Sequence, residues 1–135
     1  MVRFFAAPYV AGESIDEALD VAARSFDRKK VRTTLDLLGE SVTEEDQVRA
    51  NVEIYQELIR RVAKDPGFAE RQARPAVSLK PSAFPTGEQR RVIEPIQSIA
   101  DVARGAKVAL TIDMEDRRWT DLTLDFSFDL FRRGY

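Results

Sequence analysis

The chain lacks cysteine and histidine entirely, and both absences narrow the chemistry that it can perform. None of its 135 residues is a cysteine, which excludes a disulfide framework, thiolate metal sites and a cysteine nucleophile. Without histidine there can be no Ser-His-Asp triad and no histidine-ligated metal site. Any chemistry must therefore use carboxylates, lysine, arginine, tyrosine, hydroxyl groups or a bound cofactor.

The chain also has little net charge and no long apolar run. Its formal net charge is −2, with both signs interspersed, so it offers no strong field for nucleic acid or an anionic membrane. The first ten residues hold one short apolar stretch that Pro8 interrupts, which is too short for a signal-peptide core or a membrane span. With 135 residues, the chain is predicted to form one domain over residues 1–135 in the cytoplasm.

Three short apolar segments predict the strands of a sheet. They cover residues 31–38, 76–80 and 107–112, and each carries a charged residue at or near its end. Helical patterns separate them, as the crossover connections between parallel strands require. We therefore predict an α/β fold with about three parallel strands alternating with helices, after an irregular lead-in at residues 1–13.

Capping residues indicate where the helices begin and end. Ser14, with Glu17 three residues later, predicts a capping box that opens a first helix running to about Asp27. Thr43 is the predicted N-cap of the second helix. Gly105 is predicted to lie just beyond the end of the third helix, where glycine is common.

The last segment fits two structures. Apolar and polar residues alternate strictly from Leu122 to Leu130, which favours a strand. The same residues form apolar stripes on a helix, and the preceding order of strands and helices requires a helix at this point. We predict a helix with two stripes, which consist of Leu122, Phe126 and Leu130 on one side and Leu124, Phe128 and Phe131 on another.

Charged residues at the ends of the predicted strands form the candidate site. In α/β proteins ligands bind at the carboxyl edge of the sheet, where Asp36, Lys80 and Asp113 should meet. A lysine at that edge can bind a substrate carboxylate or the electron-rich edge of a cofactor, although it could also be an ordinary surface lysine. Asp36 could instead cap the turn that follows it.

Glu115 and Asp116 extend this cluster beyond the third strand. Such close carboxylates can bind a divalent cation through oxygen ligands, or they can pair with Arg117 and Arg118. The further ligands that a metal site needs are not evident in the sequence, so we predict no metal. The sequence also has no glycine-rich phosphate loop of the nucleotide-binding types.

Four sequence motifs give the chain a specific resemblance. They are Arg-Phe-Phe-Ala-Ala-Pro-Tyr-Val-Ala-Gly-Glu at residues 3–13, Leu-Asp-Leu-Leu-Gly-Glu at 35–40, Val-Ser-Leu-Lys-Pro-Ser at 77–82 and Thr-Ile-Asp-Met-Glu-Asp at 111–116. In this order and at this spacing they resemble the proline dehydrogenase family over nearly the whole chain. Four motifs in order carry far more weight than any one of them alone.

The resemblance implies a fold, a reaction and a set of site residues. The family folds as a (β/α)8 TIM barrel that holds FAD at the carboxyl ends of its strands. It oxidises L-proline to 1-pyrroline-5-carboxylate and passes the electrons to a quinone, and the flavin supplies redox chemistry that these side chains lack. Lys80 matches the family's strand-end lysine beside the substrate carboxylate and the flavin, and Asp113 matches an aspartate of the same pocket, so both are expected to be catalytic. Supporting roles are expected for Asp36, Glu40, Glu115 and Asp116.

The length of the chain predicts only part of such a barrel. A (β/α)8 barrel takes about 250 residues, so we expect a partial barrel. In the family, later strands carry further FAD contacts and a late helix carries paired arginines that bind the carboxylate of proline. Open sheet edges favour pairing between chains. The alternative hypothesis is therefore a catalytically inactive fragment that associates with itself or is completed by a partner.

The same resemblance predicts the surroundings of the protein. A quinone acceptor implies a cytoplasmic protein that can associate peripherally with the inner membrane, and no nucleic acid partner is expected. A regulatory domain that binds a small molecule is a third hypothesis. It has less support, because a complete carboxylate site would need a cation other than Lys80 facing the pocket.

Overall fold

Helices and short strands alternate along the chain in the computed structural model, which describes residues 10–38, 42, 44–69, 72–84 and 92–135. Single 3-10 turns cover Pro66–Phe68 and Pro81–Ala83. The alternation confirms the predicted α/β class and matches part of a (β/α)8 barrel. The longer elements are α1 Ile15–Lys29, β1 Thr34–Asp36, α2 Glu45–Lys64, β2 Ala76–Leu79, α3 Ile93–Ala106, β3 Leu110–Ile112 and α4 Thr120–Arg132.

The three described strands form one parallel sheet in the order β1-β2-β3. Leu35 of β1 lies opposite Val77 of β2, and both side chains are buried in the hydrophobic core. Thr34 and Asp36, which flank Leu35, are exposed. Because successive side chains of a strand point to opposite faces, β1 has one face covered by the core and one open face.

The core lies between the covered face of the sheet and the helices, of which α2 and α3 pack against each other. Tyr55, Ile59 and Val62 of α2 are fully buried, as are Ile99 of α3 and Val77 of β2. Burying a large apolar side chain stabilises the fold by about 1.5–3 kcal/mol. This packing fixes α2 against the sheet, and α2 reaches the candidate site described below.

The first helix begins as the sequence predicts. The Ser14 hydroxyl accepts a hydrogen bond from the backbone N–H of Glu17 at 3.3 Å, and the Glu17 carboxylate accepts one from a backbone N–H that precedes the helix at 2.7 Å. These bonds satisfy donors that the start of a helix leaves unpaired. The helix ends at Lys29 rather than at Asp27. Thr43, the predicted cap of α2, lies outside the described residues.

The first strand is shorter than predicted. β1 covers Thr34–Asp36 rather than residues 31–38. Its neighbour β2 begins only at Ala76, whose N–H donates to the carbonyl oxygen of Thr33 at 3.1 Å. Residues before Thr33 therefore have no partner on β2. The apolar residues at the two ends of the predicted strand are not buried, since both Val31 and Leu38 are exposed to solvent.

The third strand is also shorter than predicted. β3 begins at Leu110 rather than at Lys107. Just before the neighbouring strand β2, Pro75 stands where a backbone N–H would have to donate to Lys107, and proline has no N–H. The Lys107 carbonyl oxygen instead accepts a hydrogen bond from the Arg74 guanidinium at 3.3 Å.

The end of α3 corrects another prediction. Gly105 lies inside the helix, which ends at Ala106. Lys107 takes the left-handed conformation expected of a glycine, with a φ of 56°, and the N–H of Val108 donates to the carbonyl oxygen of Ala103 at 3.0 Å. This closure buries the side chain of Val108, which is a packing reason for the later helix end.

The last segment is a helix, as predicted from the order of elements. Phe126 and Leu130 of α4 are buried against the core. Leu124, Phe128 and Phe131, which form the second predicted stripe, are exposed, with 42%, 57% and 77% of their surface accessible. The fold therefore covers one of the two stripes. None of the helices in the described ranges combines the length and apolar character that crossing a membrane requires.

Candidate active site

The sheet brings the predicted site residues to one edge. Asp36 ends β1, while Lys80 directly follows β2 and Asp113 directly follows β3. Lys80 keeps an extended backbone, with φ −106° and ψ 127°, so the alternation of β2 continues through it. The backbone N–H of Asp113 donates to the carbonyl oxygen of Leu79 at 2.8 Å, which aligns the ends of β2 and β3. This edge is the carboxyl edge that α/β proteins use for ligands.

Register and alternation also place these residues on the same face of the sheet. Asp36 lies opposite Ser78, and Ser78 lies opposite Thr111. Lys80 and Asp113 follow Ser78 and Thr111 by two positions each, and residues two apart on a strand share a face. The charged residues therefore occupy the face opposite to the apolar side chains that pack under the helices.

Lys80 and Asp36 form an ion pair across the first two strands. The Lys80 ammonium bonds to the Oδ2 atom of Asp36, and 17% and 28% of the two side chains are exposed. A pair that is partly shielded from water is screened less than a surface pair. An ammonium has three N–H donors, so Lys80 is chemically able to bind Asp36 and a second acceptor together.

Tyr55 of α2 is a site residue that the sequence pattern did not reveal. Its hydroxyl donates to the Oδ1 atom of Asp36 at 3.2 Å, and the whole residue is fully buried. Burial, followed by the nearby Asp36 charge, raises the pKa of the Tyr55 hydroxyl above its ordinary value. In the sequence, Tyr55 stands at helical spacing among apolar residues, which is typical of a core position. The one available signal of a further role is its polar tip among aliphatic side chains.

Glu115 is brought to the segment that follows Lys80. Its carboxylate accepts a hydrogen bond from the backbone N–H of Ser82 at 2.7 Å and another from the Ser82 hydroxyl. The Asn51 side chain of α2 donates to the carbonyl oxygen of Ala83 at 2.9 Å in the same turn. The 3-10 turn after Lys80 is thus held by the loop after β3 and by α2.

Asp116 takes part in a different interaction. Its carboxylate accepts hydrogen bonds from the backbone N–H of Arg118 at 2.8 Å and from the Arg118 guanidinium at 2.6 to 3.2 Å. These hydrogen bonds lower the pKa of Asp116 below its ordinary value. Of the two roles considered for this residue, the arginine pair is the one observed. Within the described ranges, no group of three or more acidic side chains could hold a metal ion.

Asp113 and Glu40 complete the set of predicted site residues. Asp113 is half-buried at the edge of the sheet, where its backbone is anchored as described. Glu40 lies outside the described residues. The structure therefore joins Asp36 to Lys80, places Asp113 beside them on the sheet, and uses Glu115 to hold the adjoining turn.

A cleft of about 840 Å³ lies at the opposite, amino edge of the sheet. Its lining includes the cations Arg32, Arg74, Arg104 and Lys107, and none of the predicted site residues lines it. Ligands of open parallel sheets bind at the carboxyl ends of the strands, so we assign the candidate active site to the edge that carries Lys80.

Comparisons with known proteins point to one family. A sequence model described as proline dehydrogenase matches residues 19–134. The chain is 28% identical over 132 residues to bifunctional protein PutA of Escherichia coli and to that of Klebsiella aerogenes, covering 92% of this chain and 10% of each PutA. It is 29% identical over 123 residues to proline dehydrogenase 1 of Bacillus subtilis, covering 90% of this chain and 38% of that protein. The chain thus spans a minor part of these relatives, yet the family match extends over most of its own length. This chain belongs to the proline dehydrogenase family.

Proposed function

We propose that this chain contributes the Lys80 side of a site that oxidises L-proline to 1-pyrroline-5-carboxylate. The observation that supports this most directly is a lysine at the carboxyl edge of a parallel sheet, held there by Asp36 and flanked by Asp113. Membership of the proline dehydrogenase family supports the choice of reaction. The matched region covers 10% of PutA and 38% of proline dehydrogenase 1, so the reaction is proposed here and not taken from the relatives.

Lys80 is the residue that we expect to bind the substrate. Proline carries a carboxylate, and an ammonium at a partly water-shielded edge binds a carboxylate through charge-assisted hydrogen bonds. Asp36 keeps the ammonium at this edge, and both Asp36 and the ammonium remain partly exposed to an incoming ligand. Asp113 is expected to form the neighbouring wall of the same pocket, because its backbone is fixed one strand away.

The expected cofactor is FAD, and the edge fits one part of it. A lysine ammonium suits the electron-rich edge of a flavin ring, so Lys80 is the described residue that would hold it. When bound, FAD supplies the two-electron acceptor that the side chains of this chain lack. A quinone is the expected acceptor of the electrons, and it would bring a cytoplasmic protein to the inner membrane surface.

Proline-dependent reduction of a dye, measured with added FAD, tests the proposal. We expect the Lys80→Met variant to lose at least tenfold in kcat/KM for L-proline, since it removes the cation but keeps most of the side-chain volume. Lys64→Met, at an exposed position of α2, is the matched control and should retain the wild-type rate. If the wild-type chain binds no flavin and reduces no dye, the proposed activity is wrong for this chain.

A second candidate function is a non-catalytic module that associates with itself or with a partner. The exposed stripe of Leu124, Phe128 and Phe131 on α4 favours it, because an apolar patch of this kind commonly marks an interface. Light scattering of the wild-type chain should then show a dimer or larger species, and the Phe128→Ser and Phe131→Ser double variant should shift it toward the monomer. A wild-type chain that stays monomeric at high concentration would contradict self-association.

A further inference from the structure

One buried hydroxyl points at the candidate site from inside the core. Tyr55 is fully buried on α2, and its ring lies against Phe84 with the ring centroids 5.7 Å apart. A buried hydroxyl requires a hydrogen-bond partner, and the Tyr55 hydroxyl donates to the Oδ1 atom of Asp36 at 3.2 Å and also interacts with the Leu37 backbone. An aliphatic residue would fill a core position without this requirement. The Tyr55 hydroxyl therefore connects the core to the edge of the sheet through a hydrogen bond.

The same carboxylate carries a second, different bond. Oδ2 of Asp36 bonds to the Lys80 ammonium, while Oδ1 accepts from Tyr55. With each oxygen committed to its own partner, the rotation of the Asp36 carboxylate is fixed at two points. If the hydroxyl were removed, the carboxylate could turn about its last torsion angle, and the ammonium that depends on it could move.

α2 is also anchored to the segment that carries Lys80. Asn51 lies one helical turn before Tyr55, on the same face of α2, and donates to the carbonyl oxygen of Ala83 at 2.9 Å. Tyr55 and Asn51 therefore contact the site on the two sides of Lys80. Asn51 is buried as well, so both contacts start from the packed side of the helix.

We propose that Tyr55 is a positioning residue, which acts through Asp36 to hold the Lys80 ammonium in the geometry that binds the substrate carboxylate. Its catalytic consequence rests on the proposed function, while the positioning itself can be measured without turnover. A tyrosine hydroxyl is protonated at neutral pH, and burial beside Asp36 raises the pKa of Tyr55 further, so the group remains a donor.

Nuclear magnetic resonance of the Tyr55→Phe variant tests the positioning. The variant keeps the ring and removes only the hydroxyl. Asp36 then loses one of its hydrogen-bond donors, so we expect the resonance of its carboxyl carbon at neutral pH to differ from that in the wild type. The Lys80 Nζ resonance should move toward its position in the Asp36→Asn variant. A merely structural role of Tyr55 would move neither signal.

A tyrosine far from the site provides the matched control. The Tyr135 hydroxyl bonds to Gln97 and Asp101, away from the carboxyl edge. Tyr135→Phe should leave the resonances of the Asp36 carboxyl carbon and of Lys80 Nζ as in the wild type. The proposal is wrong if Tyr55→Phe is folded and also leaves both signals unchanged.

A measurement on the wild-type chain covers the case in which Tyr55→Phe does not fold. The ring carbon that bears the Tyr55 hydroxyl should change its resonance as Asp36 is protonated, because the hydrogen bond between them weakens. A resonance that is the same with Asp36 protonated and with Asp36 ionised would overturn the proposal.

Kinetics then separate the positioning from the proposed function. If the chain oxidises proline, Tyr55→Phe should raise KM for L-proline about three- to tenfold, with a smaller change in kcat, since the lost geometry belongs to carboxylate binding. An unchanged KM in an active enzyme would contradict the catalytic consequence. A wild-type chain without turnover contradicts the proposed function, and the resonance measurements still decide whether Tyr55 positions Lys80.

Discussion

The Glu115 carboxylate accepts two hydrogen bonds from Ser82, one from its backbone N–H and one from its hydroxyl. Glu115 lies in the loop after β3, while Ser82 lies in the turn that follows Lys80. Two neighbouring loops at the carboxyl edge are thus joined by one side chain. The loop after the third strand therefore contributes to the shape of the site through a contact between residues that are 33 positions apart in sequence.

Weakening this contact should destabilise the fold measurably. In Glu115→Gln the bonds lose their ionic character and only one oxygen remains as an acceptor, so we expect the free energy of unfolding to fall by about 1–2 kcal/mol. Urea denaturation followed by circular dichroism measures the change. Glu57→Gln, at an exposed position of α2, is the control and should stay within about 0.5 kcal/mol of the wild type. Equal effects of the two variants would contradict the role of Glu115.

The buried Tyr55 hydroxyl should make the fold sensitive to alkali. Its pKa is raised in the folded state above the ordinary value of 10.0, so the unfolded chain releases this proton first. The stability that depends on the neutral hydroxyl is complete below pH 10 and is lost as the pH rises above it. In the wild type this group alone should reduce the free energy of unfolding by about 1.4 kcal/mol per pH unit in that range.

Tyr55→Phe removes this dependence. Its free energy of unfolding should fall less steeply than that of the wild type above pH 10, by about the same 1.4 kcal/mol per pH unit. Denaturation series at several pH values between 6 and 11 provide the two curves, which should run parallel below pH 9. Parallel curves over the whole range would show that Tyr55 ionises equally in the folded and unfolded chain.

The two apolar stripes of α4 should respond differently to truncation. Phe126 is buried, so Phe126→Ala should cost about 3–5 kcal/mol through lost burial and the cavity that remains. Phe128 is more than half exposed, and Phe128→Ala should change the stability of the monomer by no more than about 0.5 kcal/mol. Chemical denaturation at low protein concentration measures both. A large loss from Phe128→Ala at that concentration would mean that its stripe is covered in the folded monomer.

The end of α3 offers two stabilising substitutions. Gly105 is helical, and a Cβ atom added there would meet nothing within 4 Å, so Gly105→Ala should stabilise the fold by about 0.5–1 kcal/mol. Lys107→Gly should also stabilise it, by up to about 1 kcal/mol, because glycine adopts a φ of 56° without strain. Thermal melts of the single variants test both. A loss of stability in Gly105→Ala would contradict the helical assignment of that residue.

Local patterns in the sequence predicted the elements but not all of their limits. The capping box at Ser14 and the order of strands and helices are local signals, and both the start of α1 and the helical character of α4 are confirmed. The extent of β3 depends instead on Pro75, which directly precedes β2. The end of α3 depends on how Val108 packs, which the spacing of residues around Gly105 does not reveal.

The sequence also predicted part of the candidate site. Parallel strands bring their ends together, so the meeting of Asp36 with Lys80 follows from the topology. The bond between Tyr55 and Asp36 joins residues 19 apart in sequence on different elements, and only the packing of α2 determines it. The expected catalytic roles of Lys80 and Asp113 stay predictions, and so does the role of Glu40, which the described residues do not include.

Helix α2 both packs in the core and contacts the candidate site, and this combination limits how the protein can evolve. Ile59 and Val62 hold the helix against the sheet, and Tyr55 on the same helix reaches Asp36. A mutation that repacks either aliphatic residue is therefore expected to shift the helix and, with it, the Tyr55 hydroxyl. Selection for heat resistance and selection for substrate affinity would therefore act on the same few core positions, and adaptation to a new temperature should require a compensating change at the sheet edge.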